Sequence, residues 1–201
     1  MYLAQKYNSV RQLHIMVTAG MIFFLITKSV AQFAPPAGQP GSTAISTDSS
    51  IFVQWASACL VARGYMDISD TSLGYANYSM DTAAVGIADF NVVSLGDSGS
   101  AVLYFDTPLV NGSGFDFAVF ENSFSDEFLE LAFVEVSSDG SRFFRFGSTS
   151  NTQTEEQVDT FGTLDATKLH NLAGKYRGGY GTPFDLEELK DSVDLDISNI
   201  I

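Results

Sequence analysis

The stretch Gly114–Gly147, GFDFAVFENSFSDEFLELAFVEVSSDGSRFFRFG, decides the reading of this chain. It holds three aromatic-rich runs whose apolar residues recur with a period of two, the repeat of a strand with one buried face. Phe115–Phe120 reads as one strand, with Phe115, Phe117 and Val119 on one face and Asp116, Ala118 and Phe120 on the other. Glu130–Ser137 reads as the next, and Ser138-Asp139-Gly140-Ser141 is a hairpin signal leading into Arg142–Phe146.

The same period extends upstream. Asn91–Leu95 and Ser100–Phe105 read as strands around the turn Gly96-Asp97-Ser98-Gly99. Further upstream, Asp48 resembles an N-cap, and Ile51, Phe52, Trp55, Cys59 and Leu60 fall at helical spacing. This predicts a helix over Ser49–Ala62 closed by Gly64. Arg63–Asp89 reads as loop. Downstream, Ser148–Asp159 is a polar surface loop and Asp165–Leu172 a short helix or turn. Gly174–Gly181 is a glycine-rich crossing. Asp185 caps a helix near Leu186–Lys190, and Leu195–Ile201 reads as the start of another strand. Short, regularly spaced strands with one or two flanking helices predict a mainly β fold, an antiparallel sandwich.

The N-terminus carries an export pattern. Lys6, Arg11 and His14 precede an apolar run, Ile15–Ile26, broken by Thr18 and Gly20. That run is about 12 residues, short of the roughly 20 that span a bilayer. Ser29-Val30-Ala31 supplies small residues for cleavage, so residues 1–31 read as a signal peptide and 32–47 as an extended Pro/Gly/Ser leader. Residues 48–201 remain as one domain, ending at a strand start and so expected to be incomplete at its C-terminus. Removing the signal peptide takes away Lys6, Arg11 and Lys28 and lowers the net charge from −14 to about −17. Such a charge excludes a phosphate-neutralising nucleic-acid surface. Cys59 is the single cysteine, so no intrachain disulfide forms, and its apolar setting reads as a small hydrophobe.

Four groups of residues carry candidate chemistry. Asp116, Glu121, Asn122, Asp126 and Glu130 offer oxygens around the loop Glu121–Glu127, a candidate structural Ca²⁺ site without EF-hand spacing; the alternative is a solvated acidic loop. Glu135 shares parity with apolar Leu131 and Phe133 and is expected to pair with Arg142 or Arg145 across the hairpin. Glu121 and Glu135 are the two carboxylates a glycoside hydrolase would need on one sheet. Lys175, Tyr176, Arg177 and Tyr180, with Phe184, form a basic aromatic island. It reads either as a ligand-stacking platform or as a crossover whose aromatics seal one end of the sandwich. His170 reads as structural, since no G-x-S-x-G elbow accompanies it. Asn77-Tyr78-Ser79 and Asn111-Gly112-Ser113 match the N-glycosylation pattern, a three-residue pattern short enough to recur by chance.

Three segments, FDFAVFENSF (Phe115–Phe124), ELAFVEVSSDG (Glu130–Gly140) and LAGKYRGGYGTPFDLEEL (Leu172–Leu189), together resemble a family of uncharacterised bacterial secreted cell-surface proteins. The opening QFAPPAGQPGSTAI, Gln32–Ile45, is similar to that family's start. The resemblance implies export and a jelly-roll-like β-sandwich similar to carbohydrate-binding modules. It transfers no catalytic residue. The expectation is a secreted or cell-surface, non-catalytic ligand-binding domain, its partner a glycan or another surface component. An extracellular glycoside hydrolase and a purely structural or adhesive surface protein are the alternatives.

Overall fold

The computed structural model describes residues 33–156, 158 and 161–201. The expected signal peptide, residues 1–31, lies outside them. The chain is mainly β. Its strands are short and antiparallel, and its helices are single 3-10 turns.

Among the described residues nine strands form four small, unclosed sheets. β1 (Ile45–Ser46), β4 (Phe117–Val119) and β9 (Tyr180–Phe184) make a three-stranded sheet with β9 in the centre. Phe117 lies opposite Phe184, and Val119 opposite Thr182. β2 (Ala58–Ala62) pairs with β3 (Ser100–Tyr104), β5 (Glu135–Val136) with β6 (Phe144–Arg145), and β7 (Thr149–Ser150) with β8 (Leu169–His170).

The core grows from β9. Phe184 is fully buried, stacked on Phe117 at 5.3 Å and tilted on Phe146 at 5.1 Å. Leu186, Leu189, Val136 and Ile200 complete this cluster. A second cluster gathers Leu129, Ala166, Leu169 and Leu172. Gly181 is in β9 for a steric reason. A Cβ there would sit 2.8 Å from Phe120 Cζ and 2.9 Å from Ala118 Cβ. The glycine lets the aromatic face of the neighbouring strand close down on β9.

The structure corrects several expectations. Ser49–Ala62 is not a helix; its second half is β2, laddered along its length with β3. Phe52 and Trp55 keep their spacing but lie on Phe120, at 5.7 and 5.3 Å, so a tertiary aromatic contact replaces the helical stripe. Asp48 caps no helix and accepts a hydrogen bond from the Ser46 hydroxyl. Asn91–Leu95 is extended but unpaired, tied by Ser94 N–H to Tyr78 O and by Gly64 N–H to Leu95 O. Leu195–Ile201 contributes one bridge, Leu109 to Ile200, in place of a strand. The helices foreseen near Leu186 and Asp165 are 3-10 turns, Leu186–Leu189 and Ala166–Lys168. Asp185 and Asp165 cap them by accepting from Glu187 N–H and Thr167 N–H.

Candidate functional site

The Glu121–Glu127 loop leaves β4 and brings its side chains to different neighbours. Asp116 accepts from Gly112 N–H and Leu186 N–H, both at 2.7 Å, and so pins the start of β4 to the turn after β9. Asp126 meets Arg177 at 2.6 and 2.8 Å. Glu121 accepts from Ser123 N–H at 2.6 Å, and Asn122 donates to Phe90 O at 3.4 Å. Glu130 lies exposed beyond them. The five oxygen donors proposed for Ca²⁺ therefore form no cage. Among the described residues no three or more His, Cys, Asp or Glu side chains converge. Burial raises the Glu121 carboxyl above the usual range. The N–H groups of Asn122 and Ser123 oppose that shift, and the nearby charge of Glu130 adds to it.

The basic aromatic island is divided: Lys175 and Tyr176 are buried, while Arg177 and Tyr180 are half-buried. Tyr176 is 1% exposed and shares a hydrogen bond with Thr43 Oγ1 at 2.8 Å. Arg177 lies over the Tyr180 ring at 4.8 Å and donates to Ala37 O. Lys175 is 4% exposed, and its ammonium donates to Leu169 O at 2.7 Å. His170 stacks on Phe33 at 5.0 Å, a packing role.

Burial lowers the Lys175 pKa to about 8. The unfolded chain holds that proton more tightly, so stability rises with pH from about 8 toward the ordinary value of 10.5. Below that window the fold carries the cost of a buried charge. Lys175→Met is therefore expected to raise Tm at pH 7 by about 3 °C. That gain should shrink as the pH approaches 10. Calorimetry at both pH values checks it; a gain independent of pH contradicts the buried charge as cause.

Glu135 pairs with Arg145 at 2.7 Å, and the guanidinium lies over Phe133 at 4.2 Å. This is the foreseen pair, but it stands at the surface. Arg142 turns instead to Asp194. Glu121 follows β4 while Glu135 belongs to β5, and these strands are in different sheets. The two carboxylates thus do not share the sheet that the hydrolytic reading assumed. Cys59 faces Leu103 across the β2–β3 ladder, and burial raises its thiol pKa; nearby Asp81 adds to the shift and Arg63 opposes it.

A different surface gathers unexplained features, and it centres on Phe90. This bulky residue holds φ +70°, a left-handed backbone that side chains of its size rarely adopt. It is nevertheless 64% exposed. An Asp89–Asn91 clasp holds it there: Asn91 N–H donates to Asp89 Oδ1 at 3.0 Å and Asn91 Nδ2 to Oδ2 at 2.8 Å. These bonds hold the Asp89 carboxyl below the usual range, the backbone bond most strongly. The ring rests on Gly178 and Gly179, where a Cβ at Gly178 would lie 3.0 Å from it.

Two small clefts adjoin this segment. One, about 30 Å³, is lined by Phe90, Asn91, Phe120, Glu121 and Gly179 and has room for about one water. The other, about 160 Å³, is lined by Ser79, Met80, Thr82, Asp89 and Asn91. Tyr78, also exposed, precedes that wall. Of these residues only Glu121 was proposed from sequence as a ligand-binding or catalytic position. The available signal was an aromatic between Asp and Asn, but nothing local marks it as left-handed.

No protein-family model, no curated protein and no solved structure matches this chain.

Proposed function

We propose that this chain is an exported, non-catalytic β-domain that binds a glycan at the Phe90 surface. The observation carrying the proposal is the strained, exposed Phe90, whose neighbours Asp89 and Asn91 line the larger of two small clefts. Backbone strain of this kind costs roughly 1–3 kcal/mol and persists where function needs the geometry. An aromatic face takes the apolar face of a sugar ring. Asp89, Asn91, Ser79 and Thr82 supply acceptors and donors for its hydroxyls, the usual makeup of a small-molecule site. The larger cleft, about 160 Å³, is smaller than a pocket for a drug-sized ligand, which limits the reading to one ring rather than a long chain. The N-terminal export pattern and the acidic balance support an extracellular setting. In this reading the small antiparallel sheets belong to a jelly-roll-like sandwich, as the family resemblance implies.

Phe90→Gly separates binding from folding. Glycine accepts φ +70° without strain, so Tm is expected to hold or rise slightly. Retention on a glycan array, measured with the parent chain's best glycan, should fall at least about tenfold. Unchanged retention contradicts the site, and a large drop in Tm would show that Phe90 is there for packing alone.

A further inference from the structure

The β2–β3 sheet has only two strands, and its two edges differ. On the β2 side, Val61 N–H donates to Asp81 Oδ2 at 3.1 Å, so that edge is capped by a side chain. This bond also sets the phase of the ladder. Val61 directs its N–H away from β3, so its partner Ala101 directs its own away from β2, and Leu103 follows two residues on. Among the described residues, the Ala101 and Leu103 N–H groups bond to no other backbone segment. The outer edge of β3 is open.

One face of the same sheet is apolar and exposed. Leu60 opposite Val102 and Ala58 opposite Tyr104 share it, with Leu60 62% exposed. The surrounding segment is acidic. Between Asp48 and Val110 stand seven aspartates and a single basic residue, Arg63. That guanidinium is already engaged by Tyr78 O, Ser79 O, Ser94 O and Asp81. A second copy of so acidic a chain would bring like charges together on this face.

We propose that β3 accepts an added strand from a partner, an extended segment that alternates apolar and Lys or Arg residues. Main-chain bonds to Ala101 and Leu103 would hold it. Its apolar residues would pack beside Val102 and Tyr104, while its basic residues meet the acidic segment in which Asp97 and Asp106 flank β3. This surface is independent of the glycan reading and stands or falls without it.

A short blocked peptide alternating lysine and valine is the probe, with its glutamate–valine counterpart as control. Calorimetric titration into the full chain should show one-to-one binding of the first and none of the second. Ala101→Pro deletes an outward N–H and leaves the β2 ladder intact, so it should weaken binding at least about tenfold. Should that variant fail to fold, a lysine–valine peptide N-methylated on alternate residues makes the same test against the parent chain. It too should lose about tenfold. Equal binding of the methylated peptide, or by a folded Ala101→Pro chain, overturns strand addition in favour of charge alone. Absence of binding overturns the proposal, as does sedimentation showing that a second copy covers the face.

Discussion

Gly174→Ala is expected to leave almost no folded protein. Gly174 holds φ +76°, and a Cβ there would lie 1.8 Å from the carbonyl oxygen of Glu130. The left-handed backbone alone costs an alanine roughly 1–2 kcal/mol. The clash adds much more because neither side can retreat. Ala132 and Ala173 exchange both backbone bonds, at 2.9 and 3.2 Å, and so clamp the two segments together. Lys175 and Tyr176 follow directly and are buried. The combined loss should exceed about 5 kcal/mol, the range in which a marginal domain unfolds. Circular dichroism and soluble yield check it. An alanine variant that melts within a few degrees of the parent would mean that the Glu130–Gly174 approach is not as described.

Phe184→Ala should come next. The side chain is fully buried between Phe117 and Phe146 and is the hub of the larger cluster. Truncating such a ring costs about 3–5 kcal/mol, transfer and cavity together. For a chain of this size Tm should drop by about 10 °C or more. Phe124→Ala provides the contrast. Phe124 is exposed and stacks only on Phe128, at 4.5 Å, so its loss should change stability by about 0.5 kcal/mol or less. Equal effects at the two positions would contradict the placement of the core on β9.

What could be read from sequence was local. β3, β4 and the Ser138–Ser141 hairpin announce themselves through period-two patterning and turn residues. Asp165 and Asp185 cap through bonds two residues away. What could not be read depends on partners distant in the chain. β2 resembles a helix because Phe52, Trp55 and Cys59 happen to recur at helical spacing, and only Phe120 and the β3 ladder decide otherwise. β9, the central strand, contains Gly181 and Pro183, residues that argue against a strand until Phe120 is seen to need the space. Lys175 belongs to an island that the sequence leaves open between platform and crossover, and its burial is visible only in the hydrogen bond that Leu169 O accepts from it. The Ca²⁺ grouping failed for the same reason: Asp116 and Asp126 have partners at Leu186 and Arg177, some fifty to seventy residues away. Phe90 was missed because its left-handed backbone is imposed by the Asp89–Asn91 clasp and the two glycines beneath it.

The central claim is that the Phe90 surface holds the ligand. Its most direct test is an amide NMR titration of the chain with the glycan that the array retains best. The side-chain amides of Asn91, bonded to Asp89, and of Asn122, which donates to the Phe90 carbonyl, report on the site without mutation. Both resonances are predicted to shift in a saturable way, with the glycan recovered unchanged. Shifts confined to other residues, or conversion of the glycan during the titration, would contradict the account.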